Sequence, residues 1–252
     1  AHPVANDMLA QRDNLIVTYM SLGETDPINW SVFEQAHVYQ ARSTRSELPE
    51  QYWPGEGLLA RCPNLLAVST NGSGSDTVDL DACTAAGVLV VNQAGGNKQG
   101  VAEHAIGMML CLSKRIIQAD RAMRTVANLE REKYMGNDSH GKTLGIVGMG
   151  HVGSHVAALA SGMLSMQVLG YDPFLSDEEI ARRGAEPVTL DALLARSDVV
   201  TVHCPRNSRS ENMLDAAAFA KMKRSAYFIT TARGGIHNEL ALAEALRNDA
   251  LA

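Results

Sequence analysis

Three short stretches hold residue types that can do chemistry. "TTARGG" sets Arg233 between two small residues and two glycines, after an apolar run and ahead of a helical pattern. Its side chain is a permanent cation whose planar fork can grip an oxyanion at two points. "GMGHVG" spaces Gly148, Gly150 and Gly153 as G-x-G-x-x-G. "NGSGSD" places Gly72, Ser73 and Gly74 between a strand-like run and a helix-like one. Successive N–H groups there could converge on one anion, with Asn71 adding a side-chain donor. Taken by themselves, the same residues read better as an ordinary strand-to-helix turn.

The glycine spacing gains force from its surroundings. The apolar run "TLGIVG" precedes it, a helix pattern starts inside it, and "MQVLGYD" ends in Asp172. That is the order of a dinucleotide-binding βαβ unit. Gly148 allows the tight turn, Gly150 lets a pyrophosphate approach the backbone, and Gly153 lets the helix lie close to the sheet. The helix start then offers free N–H groups to phosphate. Asp172 stands about 20 residues past the last glycine, where a carboxylate can accept from ribose hydroxyls and repel a 2′-phosphate. Pro173 and Phe174 follow it rather than an arginine, and Arg182 and Arg183 fall near the far end of the next helix. The expected cofactor is therefore NAD.

The rest of the chain must position these groups. Strands are expected at 14 to 20, 37 to 43, 64 to 70, 88 to 92, 143 to 148, 166 to 172, 198 to 204 and 226 to 231, with helical patterns between most of them. Ser176, Thr189 and Asn238 read as helix caps. The alternation predicts an α/β protein with parallel sheets covered on both faces. A long helix is expected from Val101 to Thr125, apolar nearly all round in its first half, then showing a stripe of Ile116, Ile117 and Met123. It suits a junction between two Rossmann-like or flavodoxin-like domains: a substrate-binding one over 1–100 and an NAD-binding one over 101–252.

The bulk numbers exclude other classes. The chain has 252 residues, with 22 basic against 28 acidic side chains and a net charge of −6. That balance, without a basic run, argues against a nucleic-acid surface. The longest dense apolar stretch, "AIGMMLCL", is too short for a bilayer, which needs roughly 20 residues. No signal-peptide pattern opens the sequence. The cysteines at 62, 83, 111 and 204 form no CxxC pair. They read as reduced thiols of a cytoplasmic protein, with no metal site expected. A metal pair from His151 and His155 would collide with the nucleotide.

"GKTLGIVGMGHVG", "YDP", "VTVHCP" and "TTARGG" stand in the order of the D-2-hydroxyacid dehydrogenases, which the chain resembles. The stretch from "NGSGSD" to "CLSKR" is similar to that family's substrate-domain signature and following helix. The resemblance implies hydride exchange between NAD(H) and a small 2-hydroxy or 2-keto acid. It implies that Asn71, Gly72, Ser73 and Gly74 anchor the substrate carboxylate and that Arg233 holds the carboxylate and carbonyl oxygen. Asn97 matches a position lining the family's cleft, though a turn role suits it as well. His151, Val152, Cys204, Pro205, Thr231 and Ala232 would lie along the cofactor, Cys204 through contact rather than as a reactive thiol. His203 would pack beside the cofactor, and His237 reads as a partly exposed turn residue. The family's general acid histidine and its glutamate partner follow the Arg233 motif. Both are expected past Ala252, and a first strand ahead of "HPVANDML", so the 252 residues alone are expected to be inactive. A homodimer built on the 101 to 125 helix is implied too, although its apolar half could equally be core. The other reading is an NAD(H)-sensing interaction module, similar to the C-terminal-binding corepressors, without significant turnover.

Overall fold

The computed structural model describes residues 3–21 and 26–252. They form two compact units, residues 1–93 and 94–252. The first contains α1 (Pro3–Ala10), α2 (Asp26–Phe33), β1 (Val38–Ala41), α3 (Glu56–Arg61), β2 (Ala67–Thr70), α4 (Leu80–Ala85) and β3 (Leu89–Val91). Its three strands are parallel in the order β1-β2-β3. The core gathers Phe33, Tyr39, Tyr52 and Val68, with the Phe33 ring stacked on Tyr52 and meeting Tyr39 edge-on. Asn29 is buried there and donates to the Tyr52 hydroxyl at 3.0 Å, which offsets its desolvation.

The second unit begins at Ala94, so Asn97 and its turn belong with it. It holds α5 (Lys98–Ser113), α6 (Ile116–Thr125), β4 (Thr143–Val147), α7 (His151–Leu164), β5 (Gln167–Tyr171), α8 (Asp177–Arg182), β6 (Glu186–Pro187), α9 (Leu190–Arg196), β7 (Val199–Val202), α10 (Ala216–Ala220), β8 (Tyr227–Thr230) and α11 (Glu239–Arg247). All five strands are parallel, in the order β6-β5-β4-β7-β8. The order reverses beside β4, and ligands of open α/β sheets bind at such a point, past the carboxyl ends of the strands. The helices start as their sequences dictate. Ser176 and Glu179 form a reciprocal capping box, while the side chains of Thr189, Asp215 and Asn238 each accept from the third backbone N–H onward.

Two expectations fail. Residues 14 to 20 form no strand, because no described strand pairs with them, and Leu15, Ile16, Val17 and Tyr19 lie exposed. The 101 to 125 helix is two helices. Arg115 takes a left-handed backbone, φ 54°, between α5 and α6. The cause lies 18 residues and more further on, in the loop that fills the break. Asn137 N–H donates to the Ser113 carbonyl at 2.6 Å, and Arg115 donates to the Lys133 carbonyl at 2.8 Å. Lys114 pairs with Asp138. A Cβ on Gly136 would sit 2.2 Å from the Ser113 oxygen, so only glycine lets the loop pass. Within the unit α5 packs on α7 and β8 through Ala102, Ala105, Ile106 and Met109. α6 buries only Ala122, leaving Ile116, Ile117 and Met123 exposed. No described helix is long and apolar enough to cross a membrane.

Candidate functional site

Gly148 ties three strand ends together. Its N–H donates to the carbonyl of Tyr171, the last residue of β5, at 2.8 Å, while the His203 N–H after β7 donates to the Val147 carbonyl at 2.8 Å. With φ at 94°, and with Cys204 N only 2.7 Å from where a Cβ would stand, no other residue fits. Gly153 serves packing instead: a Cβ there would meet the Gly148 carbonyl oxygen at 2.0 Å. Gly150 caps α7 without a side-chain acceptor, and the space where its Cβ would stand is empty to 4 Å. The loop thus presents a bare backbone and a helix start of the kind phosphates use. The His151 ring is exposed and lies against Gly95, which the sequence did not signal. Val152 is half-buried against the sheet core.

Asp172 is half-buried, and both oxygens organise the backbone. One accepts from Met149 N–H and the other from Phe174 N–H, each at 3.0 Å. A carboxylate oxygen has more than one acceptor site, so capacity remains for a ribose hydroxyl. Arg183 departs from the sequence reading. It sits at the end of α8, yet its guanidinium returns to donate to the Met149 carbonyl at 2.6 Å. Nothing in the spacing marks this, because the loop and the arginine lie on different elements. Arg209 stands 5.6 Å over the Phe174 ring, joining the loops after β7 and β5.

At the end of β7, His203 is held on both sides. Its Nε2 lies 2.9 Å from the Thr201 hydroxyl and its Nδ1 3.1 Å from that of Thr231. Burial pushes its pKa down to about 4, so the ring is neutral near pH 7. Thr201, in β7, and His203, just past its end, are two apart and face the same way, a signal the sequence did contain. Burial likewise pushes the Cys204 thiol up, which suits contact rather than nucleophilic chemistry. Pro205 offers its carbonyl to the Ser210 hydroxyl at 2.7 Å, and Asn207 accepts from the N–H groups of Arg209 and Ser210, fixing the loop.

At the end of β8, Thr231, Ala232 and Arg233 are all half-buried. Arg233 donates from Nη1 to the Ala232 carbonyl at 2.9 Å, which folds the guanidinium back over its own turn. Gly235, at φ 79°, completes that turn. His237 is half-buried beside Phe228, ring centroids 5.4 Å apart, with its backbone bridged to Leu214. The second unit therefore gathers Gly148, Gly150, Gly153, Asp172, Cys204, Pro205, Thr231, Ala232 and Arg233 on the carboxyl side of one sheet.

The first unit carries the other candidates after β2. Asn71 accepts from Ser43 N–H through Oδ1 at 3.0 Å, so this side chain braces the loop. The carbonyls of Gly72 and Ser73 accept from Gln93 N–H and the Asn92 side chain. With those carbonyls engaged, the 72–74 amides are offered from a bend. Neither Gly72 nor Gly74 has positive φ, so the bend is not the alternating-hand nest. Asn97, in the second unit, is exposed and starts α5 without a side-chain cap. A cavity of about 590 Å³ in the first unit lies elsewhere, between Trp30, Trp53 and the residues after Asp76.

Known proteins share this arrangement. Residues 106–252 match the family model described as D-isomer specific 2-hydroxyacid dehydrogenase, NAD binding domain. A D-3-phosphoglycerate dehydrogenase of Archaeoglobus fulgidus is 43% identical over 190 residues, covering 75% of this chain and 36% of that protein. One from Rattus norvegicus is 36% identical over 223 residues, covering 84% and 42%. The chain thus spans well under half the length of these relatives. Among solved structures, D-lactate dehydrogenase from Aquifex aeolicus, complexed with NAD and lactic acid, superposes with a TM-score of 0.78 at 28% identity, over 88% of this chain and 64% of that one. NAD-dependent formate dehydrogenase from Staphylococcus aureus, in complex with NAD, gives 0.76 at 28% identity, over 91% and 67%. The chain, with its glycine loop, Asp172 and parallel sheet, belongs to the D-isomer specific 2-hydroxyacid dehydrogenase family.

Proposed function

We propose that the protein is an NAD-dependent oxidoreductase interconverting a small D-2-hydroxy acid and its 2-keto acid. The observation that carries this is a cation, Arg233, on the same sheet end as a glycine loop and a carboxylate suited to a dinucleotide. NADH, when bound, supplies the hydride. Gly150 and the first amides of α7 receive the pyrophosphate, and Asp172 takes the adenosine ribose. His151, Val152, Cys204 and Pro205 line the cofactor, while Thr231 and Ala232, being small, leave room for the nicotinamide. Arg233 grips the substrate carboxylate and stabilises charge on the carbonyl oxygen as the hydride arrives. Within the first unit, the amides of Gly72, Ser73 and Gly74, on a loop shaped by Asn71, are donors suited to a carboxylate, and Asn97 in the second unit is assigned to substrate by family resemblance alone.

His203 is withheld from proton transfer, since it is neutral and both its nitrogens are engaged by threonine hydroxyls. By family resemblance the proton comes from a histidine later in the sequence than the Arg233 motif. The names of the relatives make 3-phosphoglycerate, with its keto form, the first substrate to try. A cytoplasmic homodimer fits the reading.

The test is steady-state NADH oxidation by the full-length protein against a panel of 2-keto acids, with Arg233→Lys and Arg233→Ala beside it. At least one acid is expected to turn over. Arg233→Ala should lower kcat/KM by about 10²–10³-fold, the range for losing one preorganised oxyanion donor. Arg233→Lys should retain part of that. NADH binding without turnover of any acid would instead support an NAD(H)-sensing interaction module.

A further inference from the structure

Met149, the second residue of the glycine loop, is gripped at both of its backbone polar groups. Its N–H donates to Asp172 at 3.0 Å, and its carbonyl accepts from Arg183 at 2.6 Å. The two partners come from different elements, one after β5 and one after α8. The side chain of Met149 is fully buried, so the residue has little freedom to turn. Arg183 is brought to the loop by the turn behind it. Gly184 ends α8 with φ 86°, and the space of its missing Cβ lies 3.9 Å from Ala157 on α7. The end of α8 is thereby held beside the helix that the glycine loop begins.

A planar trans peptide points its C=O and the next N–H in opposite directions. With the Met149 oxygen drawn to Arg183, the Gly150 N–H faces the other way. Gly150 has no side chain and open space beside it, and among the described residues its N–H has no protein acceptor. We infer that Arg183 is a positioning residue for the cofactor. By holding the 149–150 peptide, it keeps the Gly150 amide turned outward toward the pyrophosphate. The inference rests on the dinucleotide reading of this loop and adds to it a residue outside the G-x-G-x-x-G motif. Asp172 has two tasks on this account: it faces the ribose and fixes the preceding peptide plane.

The experiment measures dissociation constants of NADH, ADP-ribose, adenosine and NADPH by titration calorimetry on the full-length protein. Wild type is compared with Arg183→Leu, Arg183→Lys and, as a control on the same helix, the exposed Arg182→Leu. Loss of one charge-assisted hydrogen bond corresponds to about tenfold or more in affinity. Arg183→Leu should therefore weaken NADH and ADP-ribose by about that factor. Adenosine, which has no pyrophosphate, should stay within about twofold, and so should kcat at saturating NADH. Arg183→Lys, which keeps one donor and the charge, should recover much of the loss, and Arg182→Leu should match wild type.

Unchanged NADH affinity in Arg183→Leu overturns the inference. So does an equal loss for adenosine, which would mark a role in the fold alone, or a loss confined to NADPH, which would mark direct contact with a 2′-phosphate. If Arg183→Leu does not fold, Arg183→Lys and Arg183→Gln carry the same comparison. Failure of wild type to bind NADH would overturn the dinucleotide reading as well, whereas normal wild-type binding with unaltered variants overturns this inference by itself.

Discussion

The two sheets are both parallel and both follow apolar runs of sequence, but they are covered differently. Every residue of β7 is buried, and β4 buries all but its first. In the first unit β1 alternates exposed and buried residues, and β3 buries none fully. Val38 and Leu89 are each 63% exposed, against 0% for Val200. The difference lies in the layers around the strands: α5 and α7 stack on one side of the larger sheet, while α9, α10 and α11 build the other core. An apolar strand records the capacity to be covered on both faces, and the neighbouring helices decide whether it is.

The two glycine loops differ in the same way. Gly148 and Gly153 are sterically locked, whereas Gly72 has negative φ, and its Cβ would meet only the Ser43 hydroxyl, at 3.5 Å. The strongest test of that contrast is Gly153→Ala. The added carbon must displace the Gly148 carbonyl, costing about 3 kcal/mol of stability by overpacking. Titration of full-length protein with NADH should then show binding reduced beyond detection. Near-normal affinity and melting temperature would remove the distinction between the loops.

Next in size is a pH effect expected of the second unit, through His203. Its folded pKa is depressed to about 4, below the ordinary 6.5, so the unfolded chain binds the extra proton first. Stability from this group is present above the unfolded value and declines as pH falls toward the folded one. The decline is about 2 kcal/mol between pH 7 and 5. Asp198 acts lower. Burial raises its pKa, but bonds from Lys223 and the Thr143 N–H outweigh this and hold it below the usual range. Its contribution is lost only as pH falls below the ordinary carboxylate range. Denaturation across pH should show a shallower slope between pH 5 and 7 for His203→Asn than for wild type, and parallel slopes would count against the buried neutral ring.

The smallest effects concern open glycines. Gly162 lies within α7 with nothing near its missing Cβ, so Gly162→Ala should stabilise by about 0.5–1 kcal/mol. Gly72→Ala should change stability by no more than about 0.5 kcal/mol. Denaturant midpoints measure both, and a large loss at Gly72 would show that its loop is locked after all.

Features set by neighbours in sequence were legible in advance. The glycine spacing, the cap residues Ser176, Thr189 and Asn238, and the strand ending in Asp172 all follow from contacts a few residues long or from one βαβ unit. What the sequence hid was decided at long range. Residues 14 to 20 have strand composition, but composition does not provide a partner. The break at Arg115 depends on Gly136 and Asn137, and the helical pattern runs through it without interruption. β6, two residues long, carries no periodic signal. The hold of Arg183 on Met149 joins residues 34 apart and depends on how α8 turns. Thr201 and His203 were readable as one face of a strand, but Thr231 as the third member required the pairing of β7 with β8.

The left-handed residue at 115 also divides the molecule in time. A continuous helix transmits fraying along its hydrogen-bond ladder, but this one is interrupted, with the carbonyl of its last residue, Ser113, taken by a separate loop. α5, clasped against α7 and β8, should surrender its amide protons to solvent only in openings close to global unfolding. α6, with one buried residue, opens on its own and exchanges orders of magnitude sooner. The step in protection would fall at Arg115, within a stretch whose sequence shows no seam.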